Sequence, residues 1–99
     1  MRFLVDTGAT TTALTLDDAR RAGIDVDSLG FNRPVQTANG MAYYAAATLS
    51  SLTIGPYSMR SVPVAIMPAG AMDTSLLGMS TIDRFSSWQV EGDRMVLRP

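Results

Sequence analysis

The chain is 99 residues long, 46% hydrophobic and carries a formal net charge of −1, which fits one folded domain with one core and excludes a largely disordered chain. Eight Arg stand against eight Asp and one Glu, with no Lys, so charge gives no case for a nucleic-acid partner or an anionic membrane surface. The absence of Cys and His rules out a disulfide scaffold, thiolate zinc sites, cysteine nucleophiles and every Ser-His or Cys-His triad.

Phe3-Leu4-Val5 reads as a short buried strand, broken by a turn at Asp6-Thr7-Gly8-Ala9. Thr10 to Leu14 is β-branched and suits a second strand. A short helix follows, with Thr15 as N-cap, Asp17 and Asp18 in the first turn, Arg20 and Arg21 in the last, and Gly23 as the stop. Thr15-x-x-Asp18 approximates a capping box with the shorter acid. Residues 25–33 read as loop. Val35-Gln36-Thr37 and Met41 to Thr48 flank Ala38-Asn39-Gly40, and Asn-Gly is a strong hairpin signal. Leu52-Thr53-Ile54 and Met59 to Met67 flank a second turn at Gly55-Pro56-Tyr57, with Pro63 marking an edge strand or a bulge. After a loop over 68–74, Ser75-Leu76-Leu77 is a short buried strand ended by Gly78, and Ser80 is placed to cap a helix over Thr81 to Phe85. Trp88-Gln89-Val90 and Arg94 to Leu97 form a last hairpin around Glu91-Gly92-Asp93. The whole reads as mainly β with one or two short helices. No apolar run reaches the length of a membrane span, and Met1-Arg2 leads into Phe3 without a signal-peptide pattern.

The sharpest local signal is Leu4-Val5-Asp6-Thr7-Gly8-Ala9-Thr10. A carboxylate after a buried apolar strand is costly unless something holds it. Gly8 permits close backbone approach, and Thr7 can hydrogen-bond to a neighbouring copy of the same turn. Asp6 can then be presented at the floor of a cleft. In the plainer reading Asp6 caps its own backbone as an Asx-turn. By themselves, Leu76-Leu77-Gly78 reads as core followed by a turn and Ala38-Asn39-Gly40 as an ordinary hairpin. The seven Met read as core.

Taken in order, Asp6-Thr7-Gly8-Ala9 after apolar residues, the Asn39-Gly40 hairpin, and Leu76-Leu77-Gly78 followed by a helix resemble the retroviral-type aspartic peptidases from Phe3 to about Phe85. The likeness is closest to the bacterial retropepsin-like peptidases, through Gln36-Thr37-Ala38-Asn39-Gly40 and Leu76-Leu77-Gly78-Met79-Ser80. The resemblance implies a retropepsin-like closed β-barrel with one or two short helices. Residues 1–99 would form a single domain lacking the family's usual N-terminal β-hairpin.

For function, the resemblance implies an aspartic endopeptidase in which Asp6 supplies one carboxylate of a dyad and a second copy supplies the other across a two-fold axis. Two carboxylates in contact share a proton; the ionised one activates a water and the protonated one hydrogen-bonds the scissile carbonyl. Thr7 would brace the paired turns, with Gly8 and Ala9 supporting the site. Thr37, Ala38, Asn39 and Gly40 would form a flap over an extended peptide, stiffer than a Gly-rich viral one. Leu76, Leu77 and Gly78 would form the wall beside the signature turn, with Leu14 and Ile66 as further wall candidates. Met79 stands where retroviral enzymes place an Arg. No metal or organic cofactor is implied. The expected partners are a second copy and a peptide or protein substrate. A membrane enters only through an N-terminal anchor outside this chain, which would make the longer protein membrane-tethered or periplasmic. Two other readings stay open: a non-catalytic dimerisation or peptide-binding module on the same fold (or an inactive fragment of the enzyme), and a monomeric structural β-barrel.

Overall fold

The computed structural model describes residues 3–54, 57–85, 87–91 and 94–98, with side chains described as far as Ser87. Strands make up 48% of the chain and curl into a half-barrel, as the mainly β reading requires. Strands β1 (Phe3–Val5), β2 (Ala13–Leu14), β3 (Arg33–Thr37), β4 (Gly40–Ile54), β5 (Tyr57–Ile66) and β6 (Ser75–Leu77) form one sheet in the order β1-β6-β2-β5-β4-β3. β7 (Ser87–Glu91) and β8 (Arg94–Arg98) pair as a separate antiparallel hairpin whose turn residues, Gly92 and Asp93, lie outside the described residues. The helices are α1 (Leu16–Arg21) and α2 (Met79–Ile82).

The strand β6 carries the topology. It runs parallel to β1, with Leu4 opposite Leu76, and antiparallel to β2, with Ala13 opposite Leu76. The chain segment that leaves β1 and returns as β2 therefore straddles β6. β2 also pairs parallel with the end of β5, Leu14 opposite Ile66, and both of these side chains are fully buried. With Ile82 they anchor a core completed by Ala19, Val26, Ala45, Leu49, Leu52, Val62, Val64 and Leu77. Each large aliphatic side chain removed from water there stabilises the fold by about 1.5–3 kcal/mol.

The end of α1 follows the sequence closely. Gly23 takes φ +86, Gly23 N–H donates to Arg20 O and Ile24 N–H to Ala19 O, both at 3.0 Å, closing a Schellman motif. Its start departs from the expected capping box. Thr15 Oγ1 accepts the Asp18 N–H at 3.1 Å as an N-cap should. Asp18, however, does not reach back to Thr15. The Thr15 N–H donates instead to Ser75 Oγ at 3.0 Å, and the Ser75 hydroxyl donates to Asp18 Oδ2 at 2.6 Å. A Ser on β6 thus completes the box, and Arg21 approaches the other Asp18 oxygen at 3.4 Å. Ser75 is fully buried and Asp18 nearly so, which makes this relay costly to interrupt.

Several elements differ from expectation for identifiable reasons. β2 keeps only Ala13 and Leu14, because Thr10 and Thr12 spend backbone groups on the 78–80 segment. The 25–33 segment contains a 3₁₀ turn, Val26–Ser28, which buries Val26. β4 runs unbroken through Ser50 and Ser51, since β5 holds one register from Ala45 opposite Ile66 to Ile54 opposite Tyr57. Pro63 needs no bulge: it sits opposite Thr48 in that register, at a stretch of β5 that β2 does not reach. α2 begins at Met79 rather than Thr81, with Gly78 at its N-cap position. β1 is less buried than expected, with Leu4 59% and Val5 47% exposed at the sheet edge. The Gly55-Pro56 turn lies outside the described residues.

Replacing Ser75 by Ala would leave the Thr15 N–H and Asp18 Oδ2 without their shared partner. We expect a loss of about 2–3 kcal/mol in chemical denaturation, with the slope of the transition unchanged.

Candidate active site

Asp6 continues the β1–β6 ladder by one residue, its N–H donating to Leu77 O at 3.1 Å. The chain then turns sharply. Ala9 N–H donates to Asp6 O at 3.1 Å, and Gly8 N–H donates to Asp6 Oδ1 at 2.9 Å. This last bond is the Asx-type contact of the plainer reading, so the carboxylate does cap its own turn. Among the described residues no other hydrogen bond and no ion pair reaches it; the ion pairs are Arg20–Asp17 and Arg21–Asp18. Asp6 is half-buried, and Thr7 and Gly8 are exposed beside it. A Cβ on Gly8 would sit 3.2 Å from Asp6 Oδ1, so glycine leaves the carboxylate its place.

The arm leaving the turn is stitched to the segment after β6. Met79 N–H donates to Ala9 O and Ser80 N–H to Thr10 O, each at 2.8 Å. Thr12 N–H reaches Ser80 Oγ at 3.3 Å, and Thr12 Oγ1 accepts the Gly78 N–H at 3.1 Å while meeting Thr81 Oγ1 at 2.5 Å. The two segments press so closely that a Cβ on Gly78 would lie 2.6 Å from the Thr11 carbonyl carbon and oxygen. Ser80 therefore serves the Asp6 arm and not a helix N-cap. Where retroviral enzymes place an Arg, Met79 contributes its N–H to Ala9 and a half-buried side chain to the core.

The fold thus brings Asp6, Thr7, Gly8 and Ala9 together with Leu76, Leu77 and Gly78, which the sequence singled out separately. The hairpin of Thr37, Ala38, Asn39 and Gly40 stands apart, on the β3–β4 ribbon at the other end of the strand order. Among the described residues no hydrogen bond joins its tip to the Asp6 turn. Its loop is Ala38-Asn39, both at negative φ, followed by Gly40 at φ +108, so it is not the type I′ turn that Asn-Gly suggests. Thr37 staples it: the hydroxyl donates to Gly40 O at 2.7 Å and accepts the Asn39 N–H at 3.2 Å. Leu14 and Ile66 are fully buried in the core and do not wall a cleft; Leu76 remains half-buried. Thr12 and Thr81, which the strand and helix readings passed over, prove to be central. Among the described residues no group of three or more Asp, Glu, His or Cys side chains converges on one point.

A curled sheet with Asp-Thr-Gly at the end of β1 and an apolar-apolar-Gly strand alongside it is the arrangement of retropepsin-like aspartic proteases. A crystal structure of one of these, from Rickettsia conorii, superposes with a TM-score of 0.82 at 39% identity, over 96% of this chain and 70% of that chain. The family model for aspartyl proteases matches residues 1–81, and the chain belongs to that family. Among curated proteins it is 41% identical over 96 residues to an uncharacterised protein of the cobV 5′ region in a Sinorhizobium species. It is also 37% identical over 97 residues to an uncharacterised protein of Rickettsia prowazekii (strain Madrid E). The chain spans 41% of the length of each of these two relatives.

Two glycine substitutions separate fold from site. Gly78→Ala drives a Cβ into the Thr11 backbone and should destabilise the protein by about 3 kcal/mol, read by denaturant titration. Gly8→Ala should leave stability within about 1 kcal/mol, while its Cβ displaces the Asp6 carboxylate and weakens the Gly8 N–H bond, read by amide exchange at Gly8.

Proposed function

We propose that this chain is the subunit of an aspartic endopeptidase in which Asp6 and the Asp6 of a second copy face each other across a two-fold axis. One observation carries the reading. Asp6 is held in place by backbone on both sides, yet its carboxylate has no cation and, beyond the Gly8 N–H, no hydrogen-bond donor among the described residues. The Gly8 N–H bond caps the turn, and it leaves the rest of a half-buried carboxylate without a counter-charge. That carboxylate is well placed to meet another carboxylate or a water. Family membership supports the protease chemistry, and for a domain that carries one Asp-Thr-Gly a symmetric dimer is an economical route to a second carboxylate.

In the paired site one proton is shared, since two adjacent carboxylates cannot both ionise. The ionised member takes a proton from a water as that water's oxygen bonds to the scissile carbonyl carbon, and the protonated member hydrogen-bonds the carbonyl oxygen. The tetrahedral intermediate collapses with cleavage of the C–N bond, the departing nitrogen receiving a proton from the dyad. Thr7 braces the two turns, Gly8 and Ala9 keep the floor low, and half-buried Leu76 walls it, on a strand that buried Leu77 and Gly78 fix in place. The Thr37–Gly40 hairpin covers an extended peptide substrate through its backbone.

Asp6→Asn keeps the size of the side chain and removes its charge. Cleavage of an extended apolar peptide should fall by at least about a thousandfold, while sedimentation still shows a dimer. Persistent cleavage in D6N would remove Asp6 from the chemistry. A parent protein that binds the peptide and never cuts it would instead assign the fold to a peptide-binding module.

A further inference from the structure

The proposed chemistry makes no use of Thr12 or Thr81, although both lie fully buried at the centre of the crossing beneath the Asp6 turn. Valine would fill either position with the same shape and no polar atom to satisfy. The choice of threonine at both points to a polar role. Their hydroxyl oxygens stand 2.5 Å apart, and Thr12 Oγ1 also accepts the Gly78 N–H. Every other hydrogen bond between the arm 9–12 and the segment 78–81 uses backbone on at least one side. The Thr12–Thr81 contact alone joins side chain to side chain.

The placement of this contact matters more than its strength. Asp6 is tied by its N–H to Leu77 O, at the end of β6. The far end of the same turn is tied at Thr12 to Thr81, in the first turn of α2. Both anchors belong to one continuous segment, Leu77 to Thr81, and between them the arm is also held by the Met79 N–H on Ala9 O, the Ser80 N–H on Thr10 O and the Gly78 N–H on Thr12 Oγ1. Were the Thr12–Thr81 contact released, the backbone bonds would hold the arm without the side-chain pair that fixes its far end, while Leu14, Ile66 and Ile82 would still form the apolar core.

We propose that the Thr12–Thr81 hydroxyl pair is a positioning lock that sets where the Asp6 carboxylate stands. Neither side chain touches substrate in this scheme; both act through the turn. The catalytic consequence rests on the peptidase reading above, whereas the geometric one does not.

Thr81→Val removes one hydroxyl and keeps its shape, and the double variant Thr12→Ser with Thr81→Ser keeps both hydroxyls and removes both methyl groups. Each is compared with the parent by thermal unfolding, by amide exchange at Asp6 and Ala9, and by kcat and KM on an extended apolar peptide. T81V should fold, exchange those two amides at least about tenfold faster, and lose roughly ten- to a hundredfold in kcat with KM little changed. The double serine variant should melt at a lower temperature yet keep parental exchange at both amides and kcat within about twofold. Unchanged exchange in T81V overturns the lock. So does a double serine variant that loses as much as T81V, because methyl packing would then be the cause. A T81V chain that does not fold also overturns it, since the pair would be holding the whole fold and not the site. Should the parent cleave nothing, the peptidase reading falls alone, and the exchange rates still decide the lock.

Discussion

The passage of Leu77-Gly78-Met79 beneath Thr11 is the constraint on which the rest of the site depends. β6 lies between the two arms of the chain that carries Asp6, parallel to one and antiparallel to the other. A side chain at position 78 would meet backbone at 2.6 Å, a separation that no rotamer change can relieve. Because glycine is there, the strand end comes close enough for its N–H groups to satisfy carbonyls of the Asp6 arm. The turn is thereby built from two segments more than sixty residues apart.

Two buried polar clusters organise this crossing, and both involve the 75–81 segment. Ser75 ties β6 to α1 through Thr15 and Asp18, and Thr81 ties α2 to the Asp6 arm through Thr12. Apolar packing among Leu14, Ile66 and Ile82 supplies driving force but tolerates small displacements. Hydrogen-bonded pairs at full burial tolerate far less, because a misplaced partner leaves an unsatisfied group out of reach of water. Apolar contacts close the half-barrel, and the polar contacts of the 75–81 segment both add to its stability and hold the arm that follows Asp6.

The exposure of β1 follows from the same topology. With β6 on one side and, among the described residues, no strand on the other, Leu4 and Val5 stay largely open to solvent just before Asp6. An apolar edge strand is a surface that invites pairing, and here it leads directly into the residue on which the proposed chemistry turns. The hairpin at Thr37–Gly40 sits at the opposite end of the strand order, stapled by the Thr37 hydroxyl.

Much of the local structure was legible in the residues alone. Thr15 as N-cap, Gly23 as a left-handed stop, the hairpin before Gly40 and the short strand ending at Gly78 each follow from the chemistry of a few adjacent residues, and each is present. The order of Asp6-Thr7-Gly8, Asn39-Gly40 and Leu76-Leu77-Gly78 was legible too, and with it the family. What the sequence did not determine was every decision made between distant segments. Ser75 completing the helix cap, Ser80 turning from cap to partner of Thr12, Thr12 leaving the strand to meet Thr81, and Leu14 and Ile66 going to the core all depend on partners 52 to 69 residues away. Caps and turns are set by backbone groups within a few residues, so their signals are local and readable. A buried hydroxyl or a wall residue acquires its role only from what packs against it, and in this chain the β6 crossing made that choice.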